Sequence, residues 1–380
     1  MSKGSGPRIA VVFNRDSEGA EADFENCARD DVIQVARSVG ALLRDEGYNV
    51  LLAGVREDVH RDLLPVYDHQ PAAVFNLCES LLGDNRFEAL VPMLLEFRGL
   101  AFTGSPPAAL LWALHKDRAK HLLVGSGVST PEGFAVEQLS ELDRHAGCSL
   151  PAIVKPSRED ASVGITRESV VSDWSSLRAR AAFVLERYRQ PALVERYVEG
   201  REINVSILAR LDGSLEVLPF REIDFSAMPE GRPRIVSFEG KWVEGSVDYR
   251  GAASIPCQLS SALRVRLETL ALDAFRALGL RDYGRIDIRL AADGEPFVID
   301  VNPNCDFSDT YSGFACAARA AGIDYRALVL RLVALALNRR PDADTIPLAV
   351  RSQLGGGDPR LERERSPAQS VSSRGGRVRS

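Results

Sequence analysis

The sequence has little that would hold a protein outside a cell or in a membrane. Its six cysteines, at positions 27, 78, 148, 257, 305 and 316, include no C-x-x-C pair. That scatter predicts reduced thiols in a cytoplasmic protein rather than a disulfide framework or a zinc site. No apolar region follows the opening Met1-Ser-Lys-Gly-Ser-Gly-Pro-Arg, so no signal peptide is expected. The longest apolar run near the end, Ala327 to Leu337, is broken by Arg331 and is too short to span a bilayer. There is no excess of positive charge. The net charge of −6 gives no pull toward nucleic acid or anionic membrane, and neither is expected as a partner. No G-x-G-x-x-G follows the first predicted strand, which argues against a dinucleotide site there. No internal repeat is found.

What is present is globular. A hydrophobic content of 45% and a charged content of 26% are ordinary values, and 380 residues predict two or three domains. Arg8 to Phe13 reads as a buried strand, followed by a polar loop from Asn14 to Asn26. Val32, Val35, Ala36, Val39, Leu42 and Leu43 recur at helical spacing, with Gly47 as the stop. Strands are expected at 48–55, 72–77 and 100–103, and a helix at 87–97. This alternation predicts a parallel, doubly wound sheet with a cleft at the strand C-termini. A helix is expected over 107–123, and a strand over 151–155 ending in Lys155. The small, polar loop Ser157-Arg-Glu-Asp-Ala-Ser-Val-Gly164 follows. Such a loop can fold over phosphates and donate backbone N–H groups while the lysine supplies a point charge. An ordinary hairpin loop beside a surface lysine is the alternative. Further strands are expected at 192–198, 202–208 and 214–219, a loop-rich stretch at 231–251 carrying Lys241-Trp242, and helices at 260–278 and 328–337. The tail from about Arg351 holds seven arginines against three acids, a local excess of +4, with few apolar residues, and is expected to be disordered.

The most informative stretch runs from Tyr283 to Asn304. Two apolar segments flank a turn at Asp293-Gly294, a hairpin signal. Asp287 lies between Ile286 and Ile288, and Asp300 between Ile299 and Val301, with Asn302 two residues on. Side chains alternate along a strand, so Asp300 and Asn302 share a face, and hairpin closure brings Asp287 near them. Two carboxylates and an amide oxygen suit Mg²⁺ shared with nucleotide phosphates. Arg285 lies on the face of Asp287, where it could hold developing negative charge. Cross-strand pairing on a solvated face is the alternative. Cys305 reads as a packing residue, since no histidine lies nearby in sequence.

The joint order of these motifs resembles the ATP-grasp superfamily, and within it the D-alanine–D-alanine ligases. The resemblance runs from about Val74 to Leu337. It rests on Thr103-Gly-Ser, His115-Lys-Asp-Arg-Ala-Lys, Ile153-Val-Lys-Pro-Ser-Arg-Glu with Ser162-Val-Gly-Ile, and Gly284-Arg-Ile-Asp. It implies an α/β fold (α+β in the ATP-grasp part), with an N-terminal doubly wound parallel sheet over 1–110. Two ATP-grasp subdomains would follow at 111–198 and 199–340, and a tail at 341–380. Lys116 and Lys155 would contact the α- and β-phosphates of ATP. Ser162 would belong to the covering loop, and Lys241 would approach the γ-phosphate. Glu195, Arg196, Tyr197 and Val198 would form the adenine hinge, and Glu202 would take the ribose. Asp287, Asp300 and Asn302 would hold Mg²⁺, with Mn²⁺ as a substitute, and Arg285 would stabilise a tetrahedral oxyanion. The implied reaction phosphorylates a carboxylate and lets an amine attack the acyl phosphate, releasing ADP and phosphate. The implied partners are the small carboxylate and amine and, as is common in the family, a second copy of the chain.

The chain also departs from the family pattern. Asp300 stands where the family has Glu. The Pro-Gly turn and hydroxyl residues that bind the second D-alanine are here Pro303-Asn-Cys-Asp-Phe-Ser-Asp309, with Asp306 in place of the glycine. The two carboxylates Asp306 and Asp309 are expected to repel an incoming amino acid's own carboxylate, the alternative being that they turn outward or pair with an arginine such as Arg319. The His-Gly acidic loop after the third strand is Cys78-Glu-Ser-Leu-Leu-Gly-Asp, and the Gly-Gly loop after the first is Asn14-Arg-Asp-Ser-Glu. The expectation is therefore a conserved nucleotide half and an altered amino-acid half. The rivals are a true D-alanine–D-alanine ligase and a non-catalytic nucleotide-binding scaffold.

Overall fold

A computed structural model of the protein describes residues 6–15, 31–310 and 312–339. Most of the predicted 14–26 loop and the tail from 341 lie outside the described residues, as does Pro341, the expected stop of the last helix.

Three sheets organise the described chain. The first is β1 (Arg8–Asn14), β2 (Asn49–Val55) and β3 (Ala73–Leu77), all parallel, in the order β2-β1-β3. Alternation along β1 explains its unbroken apolar run. Ile9, Val11 and Phe13 pack in one cluster with Val32, Ala36 and Val39 of the helix Asp31–Asp45, and with the last helix, Tyr325–Asn338. Ala10 and Val12 pack on the other face with Leu63 and Val66 of the helix Val59–His69 and with Val91 and Leu95 of Leu90–Phe97. A parallel strand covered on both faces has no polar side to show. The expected strand at 100–103 is reduced to one bridge, Val74 to Phe102, because the chain turns at once through Gly104 and two prolines.

The second sheet is antiparallel, β4 (Gly133–Val136), β5 (Ala152–Pro156), β6 (Val170–Val171) and β7 (Ala192–Arg196), in the order β4-β7-β5-β6, backed by the helix Trp174–Tyr188. The third holds β8 (Gly200–Ala209), β9 (Leu215–Val217), β10 (Arg221–Asp224), β11 (Ala253–Pro256), β12 (Tyr283–Ala291) and β13 (Pro296–Asn302). Its order is β11-β10-β8-β12-β13, with β9 also paired to β8. Ile203, Val205, Ile207, Ile286 and Ile288 meet Leu267, Ala271 and Ala274 of the helix Ser261–Ala277 beneath it. The predicted hairpin is β12–β13, antiparallel, with Gly294 at φ +84° in the turn.

Two expectations need correction. The single helix predicted over 107–123 is two, Pro107–Leu114 and Lys116–Gly125, broken at His115. At the break the Lys116 N–H leaves the helical ladder and donates to the Ser157 carbonyl at 3.0 Å, tying the second helix to the polar loop. The stretch 231–251 is not all loop. It contains the short helices Phe238–Trp242 and Val247–Gly251, started by Ser237 and Ser246, whose hydroxyls accept from the Gly240 and Tyr249 N–H groups. Each is five residues long, too short for helical periodicity to show in the sequence. Among the described residues no helix is long and apolar enough to cross a membrane.

Candidate active site

The predicted residues gather where the second and third sheets face each other, beside the C-terminal ends of β1 and β3. On the hairpin, Arg285 lies across from Asn302 and Asp287 across from Asp300. Arg285 grips Asp287 with two parallel bonds, Nε to Oδ1 at 2.7 Å and Nη2 to Oδ2 at 2.8 Å. Asp287 also accepts from Asn204 Nδ2 at 2.8 Å and from Asn302 Nδ2 at 3.1 Å. Burial alone would lower the pKa of Arg285, but Asp287 outweighs it and raises it, so the guanidinium stays charged in a largely dry setting. A two-point grip spends two of its five N–H groups. Arg285 lines the adjoining cavity, which lies within reach of the rest.

Asp300 takes a different cation. Lys116 Nζ lies 3.2 Å from Asp300 Oδ1 and 2.9 Å from Asp160 Oδ1, on the loop after β5. Burial would lower the Lys116 pKa, while Asp160 and Asp300 more than compensate and raise it. One lysine thus joins the first turn of its helix, the polar loop and the hairpin.

Lys155, at the end of β5, does not project freely. Its Nζ lies 2.7 Å from Glu195 Oε2, and Lys120 Nζ lies 2.7 Å from Glu195 Oε1. Lys120 also donates to Thr130 Oγ1 at 2.9 Å. Glu195 is 3% exposed, yet its pKa falls: burial pushes it up, and the two ammonium groups pull it down further. The rest of the predicted hinge is held through its backbone, Arg196 N–H to Glu132 O at 2.8 Å and Tyr197 N–H to Pro151 O at 2.9 Å, while Val198 is buried. The Arg196 guanidinium lies over Phe297, 4.8 Å from the ring centre. Glu202 pairs with Arg289 Nη2 at 2.8 Å.

The polar loop closes over this region in an unusual backbone shape. Ala161 and Ser162 both adopt positive φ, +53° and +62°, and Gly164 follows at +75°. At Gly164 a Cβ would come within 2.5 Å of the Pro156 ring. Trp242 Nε1 donates to the Ala161 carbonyl at 2.9 Å, and the Phe238 N–H donates to the Ile165 carbonyl at 2.8 Å. Lys241 sits over the Trp242 ring, and burial followed by the Arg285 charge lowers its pKa.

Beneath the loop is a cavity of about 140 Å³, lined among others by Lys241, Arg285, Glu79, Glu88, Asn304 and Asp306. Glu88 accepts from Asn304 Nδ2 at 2.9 Å, and Tyr283 donates its hydroxyl to Asn304 Oδ1 at 2.9 Å. Burial first, then nearby Asp160, raises the Glu88 pKa well above the usual carboxylate range. Cys305 also borders the cavity, but burial pushes its thiol up to about 12, so it is a packing residue. The two acids expected to repel the amine substrate's carboxylate part company. Asp306 borders the cavity and caps the Ser308 N–H at 2.8 Å, whereas Asp309 turns to the surface and pairs with Arg319 at 2.7 Å.

Asp287, Asp300 and Asn302 present hard oxygen donors from facing strands, a set that suits a divalent cation such as Mg²⁺. Among the described residues no group of three or more His, Cys, Asp or Glu is arranged to hold a metal. This set has two carboxylates and an amide, and each carboxylate already faces a protein cation. Sequence reasoning missed Lys120, Asn204, Glu88 and Asp160. The i, i+4 spacing of Lys116 and Lys120 was a usable signal, since it sets both on one helix face. Asn204 and Glu88 gave none, because their partners lie 83 and 216 residues away.

Comparison with known proteins gives the family and the fold. The family profile described as "D-ala D-ala ligase C-terminus" matches residues 134–334. An "Uncharacterized protein y4sG" of Sinorhizobium fredii is 32% identical over 311 residues, 80% of this chain and 88% of that one. A D-alanine–D-alanine ligase of Synechococcus sp. is 32% identical over 300 residues, covering 78% and 86%. The crystal structure of a D-alanine–D-alanine ligase from Bacillus anthracis complexed with ATP superposes with a TM-score of 0.67 at 22% identity, over 88% of this chain and 99% of that one.

Proposed function

We propose that this chain, which belongs to the D-alanine–D-alanine ligase family of ATP-grasp enzymes, joins a carboxylate to an amine at the expense of ATP, with a substrate pair other than two D-alanines. The observation that carries the reading is a set of cations about two adjoining cavities, beside a loop that covers the first. Lys241 and Arg285 line that one and Lys116 the other, with Lys155 paired to Glu195 on the second cavity's wall. Transfer of a phosphoryl group between anionic oxygens needs clustered cations and a covering loop that can exclude water. Lys116 and Lys155 are assigned to the nucleotide phosphates, residues 195–198 to the adenine, Glu202 to the ribose and Lys241 to the γ-phosphate. Ser162 belongs to the covering loop. Asp287, Asp300 and Asn302 would hold the divalent metal, which when bound neutralises phosphate charge. The proposed division is an N-terminal unit over 1–110 holding β1–β3, two ATP-grasp subdomains over 111–198 and 199–340 holding β4–β7 and β8–β13, and a tail over 341–380.

The chemistry is two displacements. A substrate carboxylate oxygen attacks the γ-phosphorus, and ADP leaves. The lone pair of a neutral amine then attacks the acyl carbon, and phosphate leaves with the electrons of the C–O bond and takes the proton that the amine nitrogen gives up. Negative charge gathers on the former carbonyl oxygen between these events. Arg285, oriented by Asp287, has N–H groups left for that oxygen.

The change of substrate rests on Asp306. Its carboxylate borders the cavity with Lys241 and Arg285, where the incoming amine's own carboxylate would be held in the relatives' pattern. A like charge repels that group. The same acid favours an amine whose carboxylate is absent, blocked or distant, or one with an added positive charge. The test is phosphate release from ATP across D- and L-amino acids, hydroxy acids and small amines, with products read by mass. Little or no D-alanyl-D-alanine is expected. Robust dipeptide formation at a millimolar or lower KM would overturn the substrate assignment, and no turnover with any pair would overturn the ligase reading.

A further inference from the structure

Lys116 is the cation that ties the covering loop to the hairpin, and the anion it takes from the loop is Asp160. We propose that Asp160 occupies, in the nucleotide-free protein, the place of a nucleotide phosphate on Lys116, so that binding of a nucleoside triphosphate is an exchange of anions that frees and reseats the loop. The inference rests on the assignment of Lys116 to the phosphates.

Three observations carry it. The Asp160 carboxylate meets Lys116 at 2.9 Å, closer than Asp300 at 3.2 Å, so a protein anion already satisfies the lysine where an incoming phosphate would. The next residues, Ala161 and Ser162, hold positive φ, a conformation that side-chain-bearing residues adopt only when contacts impose it. Those contacts include the Lys116 pair on one side and the Trp242 indole N–H on the Ala161 carbonyl on the other. The base of the loop is pinned separately: the Arg158 N–H donates to Gln190 Oε1 at 2.6 Å, and Gln190 Nε2 donates to Glu159 Oε1 at 2.8 Å. The tip can therefore change partner while the base stays.

A phosphate that displaces Asp160 trades one charge-assisted bond for another on the same nitrogen. Apparent affinity is reduced by the fraction of molecules in which the lysine is already taken. Removing a competitor held by one such bond should tighten ATP binding about tenfold. Asp300 remains on Lys116, so loss of the Asp160 charge does not strand a buried ammonium.

The experiment compares wild type, Asp160→Asn and Asp160→Glu, all with Mg²⁺. ATP binding is measured by calorimetry, and amide hydrogen exchange over 157–164 without nucleotide. Asp160→Asn should bind ATP about tenfold more tightly, with Kd moving more than kcat, and its nucleotide-free loop should exchange faster. Asp160→Glu should keep the wild-type pattern. An Asn variant with unchanged or weaker ATP affinity, or with an equally protected nucleotide-free loop, overturns the inference. If wild type binds no ATP at all, the phosphate assignment of Lys116 falls, and this inference with it. If an Asn variant fails to fold, an Asp160→Glu variant that loses loop protection overturns it equally.

Discussion

Replacing Glu195 by Gln is the most demanding test of the nucleotide half. In wild type, one buried carboxylate faces two buried ammonium groups, each at 2.7 Å. Lys120 and Lys155 keep side-chain exposures of only 12% and 9%, so water cannot take over from a lost partner. The glutamine changes the cluster from one net positive charge to two. Its carbonyl can accept from one lysine, but its NH₂ group then faces the other. Removing one partner of a buried ion pair costs about 3–5 kcal/mol, which in a unit of about 200 residues lowers Tm by roughly 6 °C or more. ATP supplies the missing negative charge, so its stabilisation of the variant should exceed its stabilisation of wild type in the same thermal scans. The pH dependence has a definite sign. The folded-state pKa of Glu195 is depressed, so its stabilisation is present above the ordinary Glu value of about 4.3 and is lost as pH falls through the folded value. The gap between wild type and variant should close in acid. A nucleotide-free variant melting within about 1 °C of wild type at pH 7 would show that the cluster is solvated and carries none of this energy.

Arg285→Ala should cost on the order of 10²-fold or more in kcat with ATP affinity little changed; collapse of ATP binding with kcat intact would make Arg285 a phosphate or structural residue. Glu88→Gln should stabilise the protein increasingly as pH rises above the ordinary Glu value of about 4.3. Its folded-state pKa is raised, so its contribution is full below the unfolded value and is lost as pH climbs toward the folded one. A Tm difference that does not change with pH would refute the burial argument for this residue.

Much of this architecture could be read in the sequence because the physics there is local. The Asp293-Gly294 turn and the alternation about Asp287 and Asp300 fixed the hairpin and its facing carboxylates, as the register shows. The doubly covered β1 was legible in its unbroken apolar run. What could not be read was which side chains already had partners. Glu195 appeared as a residue of the adenine hinge implied by the resemblance, and nothing in Leu-Val-Glu-Arg-Tyr indicates that lysines at 120 and 155 converge on it. The break at His115 was hidden for a similar reason: the Lys116 N–H leaves its helix for Ser157, a carbonyl on another element. Helical periodicity continues through such a break.

The pair Asp306 and Asp309 shows why the amine half resists a sequence reading. Both fall in one short run, and composition alone gives them the same standing. The structure separates them by a single choice of neighbour. Arg319 lies on the helix Gly313–Ala320, whose start is capped by Ser312, and its guanidinium takes Asp309 outward. Asp306 is held back, because its carboxylate caps Ser308 and its carbonyl accepts the Ser312 hydroxyl. One carboxylate therefore borders the cavity where two were expected. The repulsion felt by a substrate carboxylate is correspondingly smaller, and Lys241 lines the same cavity. Burial first, then the nearby Arg285, lowers the Lys241 pKa, while Asp306 itself favours the charged ammonium. The proposed selection against a D-alanine acceptor thus depends on one acid, Asp306, acting beside Lys241. That is a difference of placement, and it can be written in sequence without changing the nucleotide half at all.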